Sequence, residues 1–215
     1  AKWLYYHLLD GDIASNNCSW QWVASSFSSK KYYCNQENIN KYTNSNQTGT
    51  FLDNSYEEIA FMQVPDSLKA TTTLEINTTL PDKKRPTLDL SKPTLIYNSY
   101  NLDPAWRAKE NVNRVLLLEP THFAANPVSA NVLNFILELS KNIPSIQVFT
   151  GEISEISALY MDSDFLINDV IFSKEHPAFE YYPGFKDQRD WMFPSVTGYY
   201  PSFFNFWKKC QQSIM

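Results

Sequence analysis

The second half of the sequence predicts an α/β fold with a small parallel sheet, preceded by a helical segment. Residues 115–118 form a continuous apolar run, and residues 146–150 form a second segment of strand length in which Ile146, Val148 and Phe149 are apolar. Between them, residues 128–141 place Val132 and Ile136 on one helical stripe. Short connections in a strand–helix–strand order favour parallel strands, because a parallel pair needs a crossover connection, which is usually a helix.

The predicted elements of this half follow one another closely. Ser129 is a candidate N-cap for the helix at 128–141, and Pro144 closes its end. Gly151 separates the strand at 146–150 from the next helix. In chain order we expect strands at 94–99, 114–119, 146–150 and 165–172, and helices at 128–141, 152–160 and 201–212.

Shorter helical patterns fill the first half. Helical spacing predicts a helix over 2–9, and Asp12 is a good N-cap for a second short helix. Ser55 and Glu58 are spaced as a capping box for a helix over 55–62. The sequence therefore predicts a helical domain at 1–64, a linker at 65–92 and a Rossmann-like α/β domain with an aromatic tail at 93–215.

The composition is that of a folded globular protein. The chain has 215 residues, of which 43% are hydrophobic and 19% charged, and its net charge of −5 gives no support to nucleic-acid binding. It contains no apolar run long enough for a membrane span. The cysteines Cys18, Cys34 and Cys210 lack metal-ligand spacing and indicate reduced thiols. We therefore expect a cytoplasmic protein without a membrane partner.

The segment Asp10–Trp22 concentrates polar and aromatic side chains. Asp12 and Asn16 are i, i+4 neighbours, and Trp20 continues that stripe if the helix persists. A carboxylate, an amide and an indole on one face suit a planar heterocycle that forms hydrogen bonds. The alternative is structural: Asp12 as a helix cap, Asn16 at a helix end, and the tryptophans in a core. Residue types alone leave both readings open.

Residues 7–22 closely resemble the signature of DNA photolyases and cryptochromes, whose pattern is Asp-Gly-Asp-x-Ala-x-Asn-x-x-x-Trp-Gln-Trp. The clear extent of the resemblance is about residues 1–60. It implies an FAD cofactor, light-driven electron transfer from the flavin, and possible repair of cyclobutane pyrimidine dimers in DNA by a lyase reaction. In such repair the damaged bases are flipped out of the duplex to reach the flavin.

The resemblance also implies a role for each matched position. Asp10 and Asp12 would lie beside the flavin, and Asn16 would approach the N5 edge of its ring. Trp20 would be the tryptophan nearest the flavin in an electron-transfer chain. Trp22 would help to form the wall of the pocket for the pyrimidine dimer. Asp10, Asp12, Asn16 and Trp20 are thus the expected cofactor-binding residues, and Trp20 and Trp22 the expected catalytic ones.

The chain departs from the common family pattern in two ways. The stretch at 30–38 lacks the arginine of the family's aromatic-Arg-x-Phe-Asn-Pro run. In this respect the chain resembles an atypical bacterial branch of the family. Residues 115–152 resemble the light-harvesting α/β domain, which in the family precedes the flavin motif, so the domain order looks permuted. The resemblance therefore implies that the chain is the C-terminal portion of a longer protein.

Two alternatives of other classes remain. One is a non-catalytic protein, either a flavin photoreceptor or a structural or interaction protein that has lost flavin binding. The other is an α/β enzyme with its active site near Glu119 and His122, at the end of a predicted strand, where ligand sites of α/β folds gather. A dinucleotide is not expected there, because no glycine-rich phosphate loop follows either strand.

Overall fold

The computed structural model describes residues 2–9, 34–73, 75–161, 166–200 and 202–214. Two compact units make up the chain. One contains residues 1–79 and 121–137, and the other contains residues 80–120 and 138–215, which we call the α/β unit. The predicted division into domains at 1–64, 65–92 and 93–215 stays a prediction.

The α/β unit is built on a parallel sheet. Its described strands are β1 (Thr94–Tyr97), β2 (Asn113–Leu118), β3 (Ile146–Thr150), β4 (Ile171–Lys174) and β5 (Phe185–Asp187). Their order across the sheet is β3-β2-β1-β4-β5, and every neighbouring pair is parallel. The predicted α/β fold with a parallel sheet is confirmed, and the strand order is that of a doubly wound fold.

Helices occupy both units. In chain order the described helices are α1 (Lys2–His7), α2 (Gln36–Thr43), α3 (Tyr56–Ile59), α4 (Pro120–Ala125), α5 (Ala130–Ser140), α6 (Ile153–Ser157), α7 (Ile167–Val170) and α8 (Phe203–Ile214). Single 3-10 turns lie at Asp66–Leu68, Ala158–Tyr160 and Pro177–Phe179. Among the helices that the structure describes, none has both the length and the apolar character that crossing a membrane requires.

The central strands are the most deeply buried part of the sheet. All four residues of β1 and the last four of β2 are buried, as expected for strands covered on both faces. One face carries a contiguous apolar cluster to which Ile96, Leu117 and Ile171 contribute. We call this side of the sheet the Ile96 face.

Local signals in the sequence set several of the helix ends. The capping box of Ser55 and Glu58 is present at α3, which is shorter than the predicted helix. The Ser129 hydroxyl accepts a hydrogen bond from the Val132 amide at the start of α5, which confirms the predicted cap. The Val128 amide donates a hydrogen bond of 2.7 Å to Thr78 Oγ1. Both residues belong to the unit of residues 1–79 and 121–137.

The predicted strand at 165–172 is wrong in its first part. Residues 167–170 form the one-turn helix α7, and β4 begins only at Ile171; Phe165 lies outside the described residues. Because short apolar runs fit a strand and a buried helical turn equally well, periodicity could not separate the two. The short strand β5 was not predicted, since Phe185, Lys186 and Asp187 carry no alternating apolar pattern.

Asp187 fixes the edge of the sheet. It accepts hydrogen bonds from Trp106 Nε1 at 2.8 Å, from Arg107 Nε at 2.7 Å and from Arg107 Nη2 at 3.0 Å. The Arg107 guanidinium also lies over the Phe172 ring, 4.1 Å from its centroid. These contacts tie β5 to the loop that follows β1.

We predict that Asp187→Asn lowers the free energy of unfolding by about 1–3 kcal/mol, because a guanidinium donor loses its acceptor. The hydrogen bonds from Arg107 hold the Asp187 pKa below its ordinary value of 3.8. The stabilisation is therefore present above pH 3.8 and is lost as pH falls through the lowered pKa. Urea denaturation at several pH values measures it. Asp190→Asn, an exposed partner of Lys174, is the control and should cost less than about 1 kcal/mol.

Candidate functional site

The residues of the predicted flavin site lie outside the described residues. They are Asp10, Asp12, Asn16, Trp20 and Trp22. Their roles therefore stay predictions. A second candidate site lies within the α/β unit, at the carboxyl ends of its strands.

Three buried polar side chains lie at or near the carboxyl ends of the central strands, on the Ile96 face. Alternate residues of a strand face the same side, so Asn98 follows Ile96, Glu119 follows Leu117 and Ser173 follows Ile171. The register places Ser173 beside Ile96 on the neighbouring strand. All three polar residues are at most 2% exposed. Polar groups this deeply buried at the carboxyl edge of a parallel sheet define a candidate site.

Glu119 binds three hydrogen-bond donors. The Ile153 amide donates to Oε1 at 2.9 Å, while the hydroxyls of Tyr181 and Tyr182 donate to Oε2 at 2.5 and 2.8 Å. Burial raises the Glu119 pKa, and these hydrogen bonds oppose that rise. Burial together with the neighbouring carboxylate also raises the pKa of both tyrosines. Glu119 thus joins the end of β2 to the start of α6 and to residues 181–182.

Aromatic rings lie beside this carboxyl edge. Tyr100, in the turn after β1, stacks on His176, which follows β4; the ring centroids are 4.4 Å apart and the planes differ by 9°. Phe179 contacts both rings and also the ring of Tyr182. His176 Nδ1 accepts a hydrogen bond from the Ala178 amide, which leaves the proton of a neutral ring on Nε2.

Four buried side-chain polar atoms in the described residues have no hydrogen-bond partner in the protein. They are Asn98 Nδ2, Asn101 Nδ2, Thr150 Oγ1 and Ser173 Oγ. Ser173 belongs to β4, and Asn98 and Asn101 belong to the turn after β1. Thr150 is the last residue of β3 and lies on the side of the sheet opposite to the Ile96 face. The Asn98 orientation is fixed, because its Oδ1 accepts from the Tyr100 amide at 2.9 Å. Its amide donor is therefore the group left unpaired.

Sequence reasoning found part of this site. Glu119 was expected near a strand-end site, and the structure places it there. His122 lies in the other unit, on α4, where it is buried with its ring edge-on to Phe123. Asn98 and Ser173 were missed, although each follows an apolar stretch, which is the signal that could have found them.

Comparison with known proteins finds no family model, no curated protein and no solved structure that matches the chain. In the part of the chain that the structure describes, no group of three or more His, Cys, Asp or Glu side chains could hold a metal ion. The fold and the site therefore define a doubly wound α/β unit with buried polar groups at the carboxyl edge of its sheet.

Proposed function

We propose that this chain belongs to a cytoplasmic, FAD-binding photolyase- or cryptochrome-like protein in which light drives electron transfer from the flavin. The observation that supports the proposal is the motif at residues 10–22, where eight positions match the family signature at fixed spacing. A match spread over thirteen residues is more specific than any single pair of side chains in it.

The proposed chemistry belongs to the flavin, and the protein positions it. Asp10 and Asp12 would accept hydrogen bonds from the cofactor, and the Asn16 amide would approach the N5 edge of the ring. Trp20 would pass an electron to the flavin. In the repair form of the protein, Trp22 forms part of the wall of the pocket that receives a pyrimidine dimer from DNA. A bound, reduced flavin would supply on excitation the electron that splits the cyclobutane ring, and would take that electron back afterwards.

The fold of the α/β unit is consistent with the proposed function. Residues 115–152 resemble the family's light-harvesting α/β domain, although that domain precedes the flavin motif in the family, and a five-stranded parallel sheet includes this part of the chain. Many unrelated proteins share such a sheet, so the motif has to be tested directly.

The absorption spectrum of the longest native form, extracted from cells in the dark, tests the proposal. We predict flavin bands in the wild type, loss or altered photoreduction of these bands in Asn16→Ala, and slower photoreduction in Trp20→Phe. The control is Trp191→Phe, which replaces a largely exposed tryptophan of the α/β unit and should leave the spectrum unchanged.

A wild-type protein that is colourless, and that stays colourless after incubation with FAD, would contradict the proposal and favour a structural or interaction protein. Flavin bands without repair of a thymine-dimer substrate would instead favour the photoreceptor form. Repair of that substrate in the light, and not in the dark, would establish the repair form.

A further inference from the structure

We propose that the α/β unit binds an uncharged nucleoside, with the ring carbonyls of its base facing Asn98, Asn101 and Ser173. This site goes beyond the proposed function, since it uses none of the residues of the flavin motif. Nucleoside binding there requires neither light nor FAD.

The first argument is the position of the site in the fold. The order β3-β2-β1-β4-β5 reverses direction between β1 and β4, because β2 and β3 continue on one side of β1 and β5 lies on the other. In open α/β sheets, ligands bind in the crevice outside the carboxyl ends of the two strands at such a switch point. Asn98 directly follows β1, and Ser173 lies near the end of β4.

The second argument is the set of unpaired polar atoms. Asn98 and Ser173 are each 1% exposed, and the Asn98 amide and the Ser173 hydroxyl have no partner in the protein. The Asn101 amide, three residues after Asn98, is unpaired as well. A buried donor without an acceptor destabilises a fold, so several at one sheet edge are explained by a ligand that supplies the acceptors. Two amide donors and a hydroxyl match carbonyl oxygens on a ring.

The third argument concerns charge. Among the described residues, Glu119 is the buried carboxyl group on this face, and its charged form disfavours an anionic ligand. The turn Asn98–Asn101 contains no glycine, so it is unlike the glycine-rich loops that hold phosphate groups. The ligand is therefore a nucleoside rather than a nucleotide. The stacked rings of Tyr100 and His176 lie at the same carboxyl edge, and aromatic rings are the side chains on which planar bases stack.

Uridine is the probe, because its base carries two ring carbonyls. The full chain is labelled with nitrogen-15, kept in the dark without FAD, and titrated while the side-chain amide signals of Asn98 and Asn101 are recorded by NMR. We expect both signals to shift in a saturable manner. Uridine monophosphate, which adds only an anionic group, should bind more weakly than uridine.

Two variants test the contacts. Ser173→Ala should weaken uridine binding by about threefold to tenfold, the effect of one lost hydrogen bond, and should leave the melting temperature equal or higher because an unpaired buried hydroxyl is removed. Asn98→Asp keeps the oxygen that accepts from Tyr100 and removes the donor, so it should abolish binding. The control is Thr150→Val, which removes the unpaired hydroxyl on the opposite face and should leave binding unchanged.

The inference is overturned if the two amide signals do not shift up to about 10 mM uridine. Equal binding of the wild type and Asn98→Asp also overturns it, as does tighter binding of the monophosphate. Because the measurement needs no flavin, a colourless protein that binds uridine refutes the proposed function and leaves this inference standing.

Discussion

Gly184→Ala is expected to lower the free energy of unfolding of the α/β unit by about 3–5 kcal/mol. Gly184 directly precedes β5 and has a φ of 90°, a region that L side chains rarely adopt. An added Cβ would also collide with the carbonyl oxygen of Ile171 at the start of β4. Because that neighbour is backbone and cannot rotate away, β5 has to move away from β4.

Urea denaturation followed by circular dichroism measures the loss, and hydrogen exchange of the β4 and β5 amides locates it. The matched control is Gly198→Ala in the same unit. Gly198 has a φ of 98°, and an added Cβ would have no atom within 4 Å, so this variant carries the backbone strain alone, about 1–2 kcal/mol. Equal losses in the two variants would show that the contact with Ile171 has no effect.

The sequence predicted the elements that carry their own signal. β1, the last four residues of β2 and most of β3 are apolar, and α5 is an amphipathic stripe with a serine cap and a proline after its end. β5 could not be predicted, since a three-residue edge strand has no pattern of its own and forms only because β4 offers a free edge. Position 184 likewise depends on a distant neighbour. It requires glycine because the backbone of Ile171, thirteen residues earlier in the chain, leaves no room for a Cβ.

The candidate site was less predictable than the fold for a related reason. Glu119 stands out in the sequence because it ends a continuous apolar run. Asn98 and Ser173 become neighbours only through the strand order, which places β4 beside β1 although β2 and β3 lie between them in the chain. Strand order depends on how helices and strands pack as a whole, and no local spacing encodes it. Asp12, Asn16 and Trp20, by contrast, are predicted entirely by a local motif.

Glu119→Gln is expected to lower the free energy of unfolding by about 1–3 kcal/mol at neutral pH. The two carboxylate oxygens of Glu119 accept from the Ile153 amide on one side and from two tyrosine hydroxyls on the other. Glutamine has a single oxygen, so its amide group has to face either the Ile153 amide or the tyrosines. In one orientation its N–H groups face the Ile153 N–H donor. In the other they donate to the tyrosine hydroxyls, which lose the carboxylate as their acceptor, so the hydrogen bonds to a charged group are lost in either case.

The pH dependence gives this prediction a second readout. Burial raises the Glu119 pKa above its ordinary value of 4.5, so the folded protein holds this proton more tightly than the unfolded chain. The corresponding stabilisation is fully present below pH 4.5 and is lost as pH rises through the raised pKa. Glu119→Gln has no group to titrate, so its stability curve should lack that decline while the wild type shows it.

Denaturation at a series of pH values compares the two proteins. The control is Glu138→Gln on α5, where both partners of the ion pair with Lys141 are largely exposed, so that variant should change stability by less than about 0.5 kcal/mol and should keep the decline. If Glu119→Gln behaves like this control, Glu119 does not hold α6 and residues 181–182 to the sheet. If it is destabilised and loses the decline, the buried carboxylate fixes the geometry of the carboxyl edge on which Asn98 and Ser173 depend.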